Sequence, residues 1–350
     1  MARIGRYLRR HPVLCLLLMS PGFPEYISGS SSFTALLFDP AWFFLALGIN
    51  VGMYTVGALV IREVAIRWNK GWPTIFALGG AYAIMEEGIA DQTIFNPTTS
   101  PIGTAGTYGH FMGINWLWFP DVFVIHILMS ISIPLLLLGY ALPETRGRRL
   151  VSDRALVPLV GVLALDTVLL TVIVVASRHY WYGFPMLGAT VVGIVALCLL
   201  GFKLPRFLLP VRRGPPTASR LTFYLVGCFA YPLMVMIALL GAGSHLPPAL
   251  VVLGIVTEVG GLAGWSIRNI GDERNERHLI AFSVGLLTIG FLLGLATEFP
   301  FELVAVADAA ALYFFLWLDR SFRRPGEPSV LHTPASPQHG SAEYGVFDPR

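Results

Sequence analysis

From residue 41 to residue 318 the chain is a succession of apolar runs, most of them close to 20 residues long. A bilayer's hydrocarbon core is about 30 Å thick and takes about 20 helical residues to cross. Within it every backbone polar group must be satisfied internally, which makes segments of this length helices. Composition agrees: 55% of residues are hydrophobic and 13% charged, against roughly a quarter charged in a soluble domain. The expected fold class is all-α, a polytopic transmembrane helix bundle of about ten spans.

The expected spans after the first are 41–66, 72–91, 121–142, 156–177, 185–202, 221–242, 250–265, 278–296 and 301–318. Before them, a basic cytoplasmic N-terminus (1–12) leads into a short apolar run, 13–19, that Pro21 and Pro24 interrupt. This segment is expected to stay as a broken first helix reaching about residue 38, rather than act as a cleaved signal. The bundle then covers 13–321. Residues 322–350, rich in Pro, Ser, Gly and His, cannot bury a core and read as a disordered cytoplasmic tail. With ten spans and the N-terminus inside, 23 of the 24 Lys and Arg residues fall on the cytoplasmic side and only Arg178 falls outside. That asymmetry is the positive-inside rule and sets both termini in the cytoplasm of a multi-pass cell-membrane protein.

The third run, WPTIFALGGAYAIMEEGIADQTIFNP, carries Glu86, Glu87 and Asp91. Carboxylates in hydrocarbon are costly, so they face a bundle interior or a wet cavity and need partners. Counting along the helices at 1.5 Å per residue puts Glu86 and Glu87 at the same level as His126 of the next span, near the outer face. Glu86 and Glu87 point about 100° apart on an α-helix. One acid is then expected to line a cavity while the other braces it. A Glu could act there as general base on a water, free or metal-bound. Glu86, Glu87 and His126 are therefore the candidate catalytic residues, with Asp91, Asn96 and His110 as accessory polar groups around the same cavity. The alternative is that these acids pair with His126, Arg178 or backbone and only fix helix packing; Arg62 and Glu63 at the cytoplasmic edge read as an interfacial ion pair.

Asp166, Glu258 and Asp308 form a second set of acids, near mid-membrane. A transporter or lipid-handling protein needs acids at that depth. Gly48 and Gly52 form a GxxxG spacing suited to close helix approach. Gly254, Gly260, Gly261 and Gly264 flank Glu258 and imply tight packing or an unwound segment. Cys15, Cys198 and Cys228 show neither disulfide nor zinc spacing. No nucleotide loop, haem or iron–sulfur spacing is present, so the sequence names no cofactor. The basic surface suits anionic lipid headgroups rather than nucleic acid. The lipid bilayer is the one partner implied, and the substrate is not named.

The strings GALVIREVAIRW, GWPTIFALGGAYAIMEEGIADQTIFNP and IHILMSISIPLLL resemble a set of uncharacterised prokaryotic polytopic membrane proteins, over roughly the first 140 residues. The paired acids and the histidine more distantly resemble the CPBP superfamily of glutamic intramembrane proteases, the CAAX-processing and bacteriocin-processing relatives. That family pairs Glu-Glu and a following Arg with a Phe-x-x-x-His helix and a His-x-x-x-Asn helix. Glu86-Glu87 and His126 match. Asp91 stands at the Arg position, Val122 at the Phe position with Phe123 one residue late, and no later helix carries the His-x-x-x-Asn pair. The resemblance implies an intramembrane hydrolase or protease. The competing classes are the transporter and a non-catalytic membrane component.

Overall fold

The computed structural model describes residues 7–27, 38–98, 107–208, 213–271 and 275–297. The expected span 301–318 with Asp308, the tail 322–350, and residues 28–37 of the first segment lie outside the described residues. About four-fifths (79%) of the described residues are helical. The strands among the described residues form one short hairpin, β1 (His110–Phe111) against β2 (Ile114–Asn115).

Among the described residues nine long helices follow one another. They are α1 (Val13–Ile27), α2 (Phe43–Arg67), α3 (Trp72–Ile84, continued by a π-helical turn over Met85–Ala90) and α4 (Trp118–Ala141). Then come α5 (Asp153–Arg178), α6 (Phe184–Lys203), α7 (Arg220–Gly243), α8 (Pro248–Asn269) and α9 (Asn275–Thr297). Six of these (α2, α4, α5, α6, α7 and α8) are long and apolar enough to cross a membrane. Large apolar side chains line their outer faces: Val157, Leu165 and Val168 on α5, Val192 and Leu199 on α6, Leu250 and Val256 on α8. Monomeric soluble proteins rarely expose apolar surface on this scale. The architecture is compatible with an integral membrane protein.

Local chemistry explains the boundaries. Pro73 opens α3, where its missing N–H costs nothing. Ser152 and Ser219 cap α5 and α7 by accepting from the amides of Ala155 and Thr222. At the start of α4 the Asn115 side chain accepts from the Trp118 amide at 3.0 Å, so the helix begins three residues before the expected 121. The first segment also differs from expectation. The prolines do not stop α1, which runs through Pro21 and past Pro24 by widening into a π-helical turn over Gly22–Ile27.

The core lies among α1 to α4, where Leu16, Met53, Ala58, Ile131, Leu137 and Leu138 are almost wholly buried. Small residues bring the helices together. A Cβ on Gly80 would lie 2.6 Å from the Phe123 ring, and one on Gly57 would lie 2.6 Å from the Tyr82 ring. Phe123 therefore packs onto α3. Gly227 and Gly285 let α7 and α9 touch backbone to backbone: Cβ atoms there would fall 2.2 Å from Phe282 O and 2.1 Å from Tyr224 O. The glycines singled out from the sequence behave otherwise. Gly52 lies against the Asp166 carboxylate, but Gly48 meets nothing. Around Glu258 the helix is continuous, and Gly260, Gly261 and Gly264 face open space, so neither tight packing nor unwinding describes them.

The two ends of the bundle are polar. At one end Arg67 reaches Val151 O at 2.9 Å and Lys70 reaches Leu204 O at 2.7 Å. At the opposite end Arg178 pairs with Asp91 at 3.1 Å and Tyr180 donates to Phe95 O at 2.9 Å. Successive helices thus run up and down.

Candidate functional site

Four π-helical turns occur among the described residues, one in each of α1 to α4: Gly22–Ile27, Val51–Thr55, Met85–Ala90 and His126–Ser132. Such turns are rare and concentrate at functional sites. Each carries a polar residue of one buried cluster: Glu25, Tyr54, Glu86 with Glu87, and His126 with Ser130.

His126 is the centre. Its ring is buried at 4% exposure. Nε2 lies 2.7 Å from Glu87 Oε1, and Nδ1 lies 3.0 Å from Glu86 Oε2. Nδ1 also lies 2.9 Å from Ser130 Oγ. The Glu86 contact is an ion-pair approach off the hydrogen-bonding direction, and Oε2 has no hydrogen-bond partner among the described residues. Both acids thus flank one ring, where the α-helical spacing predicts one lining the cavity and the other bracing it. The π turn is the reason. The Asp91 amide bonds back five residues to Glu86 O at 2.8 Å, and the widened turn reduces the angular step between neighbours. Glu87 is fully engaged, because its second oxygen accepts from the Thr93 hydroxyl.

Aromatic rings enclose the imidazole. Tyr54 stacks on it with centroids 6.2 Å apart and planes at 22°, and Tyr82 meets it edge-on at 6.1 Å. The Tyr54 hydroxyl donates to Glu25 Oε1 in a short hydrogen bond. Among the described residues, Asp121 Oδ2, the Gln92 amide and Trp118 Nε1 are buried without a hydrogen-bond partner. Buried polar groups are nearly always paired, so a run of exceptions calls for an explanation.

The accessory residues do other work. Asp91 holds Arg178. Asn96 accepts from the Thr98 amide and hydroxyl at 3.0 and 2.8 Å, which fixes a turn. His110 meets Phe95 O at 3.0 Å and braces the same loop. Beside it, burial pushes the Tyr182 hydroxyl up to about 12 and keeps it neutral. Asp166 packs on Gly52, and Glu258 is partly buried on α8 with Oε1 unpaired among the described residues. Neither joins the His126 cluster. Sequence reasoning passed over Glu25, Tyr54 and Asp121 as site residues. Glu25 is an acid inside an apolar stretch, the same signal that marks Glu86 and Glu87. Tyr54 gives no such signal.

Among the described residues no three His, Cys, Asp or Glu side chains converge as a metal cage. No protein-family model matches the chain, and neither a curated protein nor a solved structure does.

Proposed function

We propose that the chain is a multi-pass protein of the cell membrane, with about ten spans and both termini in the cytoplasm, that hydrolyses a carbonyl substrate near the outer face. The reading follows the CPBP-like resemblance of Glu86, Glu87 and His126. The observation that carries it is one imidazole held between two buried glutamates, one of them fully bonded and the other reaching Nδ1 at 3.0 Å outside hydrogen-bonding geometry.

In this reading Glu87, fixed by Thr93, orients His126. Glu86 Oε2 takes a proton from a water as that water attacks the carbonyl carbon. The proton then passes to the leaving group through the His126–Ser130 side. The surrounding apolar helices keep bulk water out, which strengthens each electrostatic contact.

The test uses the full chain in proteoliposomes with membrane-spanning peptides that carry a fluorogenic amide. Glu86→Gln, Glu87→Gln and His126→Ala should each abolish turnover while the protein stays folded. Turnover unchanged in all three would end the proposal. The unpaired oxygen of Glu258 favours a second reading, coupled transport. Proton-driven uptake that is lost in Glu258→Gln and kept in Glu87→Gln would select it.

A further inference from the structure

We infer that Glu25 and Tyr54 belong to the His126 site as positioning residues: they fix the plane of the imidazole so that its two nitrogens face the two glutamates. Three independent observations support this. First, Tyr54 lies almost parallel to the imidazole, at 22°, and is itself 4% exposed. A stacked ring limits tilting of its neighbour. Second, the phenol cannot slide, because its hydroxyl is tied to Glu25 on a different helix. Glu25 is therefore two contacts from His126 and acts through Tyr54. Third, both residues sit in π-helical turns, in helices whose neighbours α3 and α4 use π-helical turns to present Glu86, Glu87 and His126. α1 and α2 thus shape the cluster as α3 and α4 do.

Among the described residues these groups face the pair. From α3 come Tyr82, with its ring 6.3 Å from Tyr54, and Glu86; from α4 comes His126. Asn50 and Tyr26 bond each other at 2.7 Å beside Glu25. An imidazole rotated about its Cβ–Cγ bond would lose the 2.7 Å contact to Glu87, and with it the orientation that general acid–base chemistry needs. The inference rests on the reading of this cluster as the working site. Its test observes the imidazole directly, so a failed hydrolysis assay and a failed positioning test are separate results.

The experiment is solid-state NMR on the full chain in liposomes with 15N-labelled histidine. The His126 signals are assigned by their loss in His126→Gln. Tyr54→Leu and Glu25→Leu should shift both His126 nitrogen signals. They should also speed exchange of the Nε2 proton with water by about fivefold or more, the factor one lost hydrogen bond supplies. Tyr54→Phe, which like Glu25→Leu keeps the ring and loses the tie, should match Glu25→Leu and shift the signals less than Tyr54→Leu, and Glu25→Gln should stay near wild type. A purely structural role would lower the melting temperature and leave the His126 signals in place. If Tyr54→Leu does not fold, Glu25→Leu and Tyr54→Phe carry the test. His126 signals that superimpose on wild type in the folded variants would overturn the inference.

Discussion

Helices α2 and α3 bury two ionic clusters, about 14 Å apart by helical rise from Tyr54 to Glu63, and the two are built in opposite ways. At the first, Glu63 is completely buried and completely bonded. Arg62 donates to its Oε1 at 2.5 Å and Arg67 to its Oε2 at 2.5 Å, and the Leu150 amide adds a bond at 3.0 Å. The arginines use their remaining protons on Thr145 O, Arg148 O, Val151 O and Asp153. Two cations answer one central anion. At the second cluster two carboxyls flank one imidazole, and Glu86 Oε2 and Asp121 Oδ2 are buried outside hydrogen-bonding geometry among the described residues. The satisfied cluster is a clamp between α2 and the α4–α5 connection. The unsatisfied one holds capacity to bond something more, and capacity of that kind is expected of a working site rather than a structural one.

The largest effect should come from the clamp. Glu63→Ala leaves the buried Arg62 guanidinium without its anion and Arg67 with Asp153 alone, and should cost about 3–5 kcal/mol of stability, read by unfolding in detergent. The contrast breaks if Glu63→Ala melts like wild type. Next, Glu87→Gln and His126→Ala should lower turnover by roughly 10²- to 10⁴-fold, the range of a general acid–base group, with a smaller loss of stability than Glu63→Ala. A smaller change is expected of Thr93→Val, which removes the second bond to Glu87 and should cost about 1 kcal/mol. The smallest stability change belongs to Glu86→Gln. Its Oε2 has no aligned donor to lose, so the melting temperature should stay level or rise while turnover falls. A fall in melting temperature like that of Glu63→Ala would place Glu86 in a clamp of its own.

Much of this arrangement is legible in the sequence, and what is not has physical causes. Hydropathy locates the helices because apolar length is what a bilayer selects. Counting from helix ends puts Glu86, Glu87 and His126 on one level because helical rise is nearly constant. Helix phase is harder. An α-helical wheel separates Glu86 from Glu87, whereas the π turn at Met85–Ala90 brings both to one ring, and nothing in the string MEEGIA announces that turn. Glu25 stays hidden because Pro21 and Pro24 read as helix breakers, yet α1 continues past them. Tyr54 is one aromatic among many, and only its neighbours reveal its place. Glycine spacing misleads at Gly48 and at Gly260, because a small residue permits close approach without requiring it. Gly227 and Gly285, with no spacing motif, bring α7 and α9 into backbone contact.

The central claim is that the two clusters have different jobs. The direct measurement is melting temperature and turnover, side by side, for Glu63→Gln and Glu87→Gln in the same proteoliposomes. The account predicts that Glu63→Gln loses stability and, below its melting point, keeps turnover, while Glu87→Gln stays folded and loses turnover. If both variants lose stability and turnover together, or if Glu87→Gln turns over normally, the His126 cluster is one more structural clamp and the account fails.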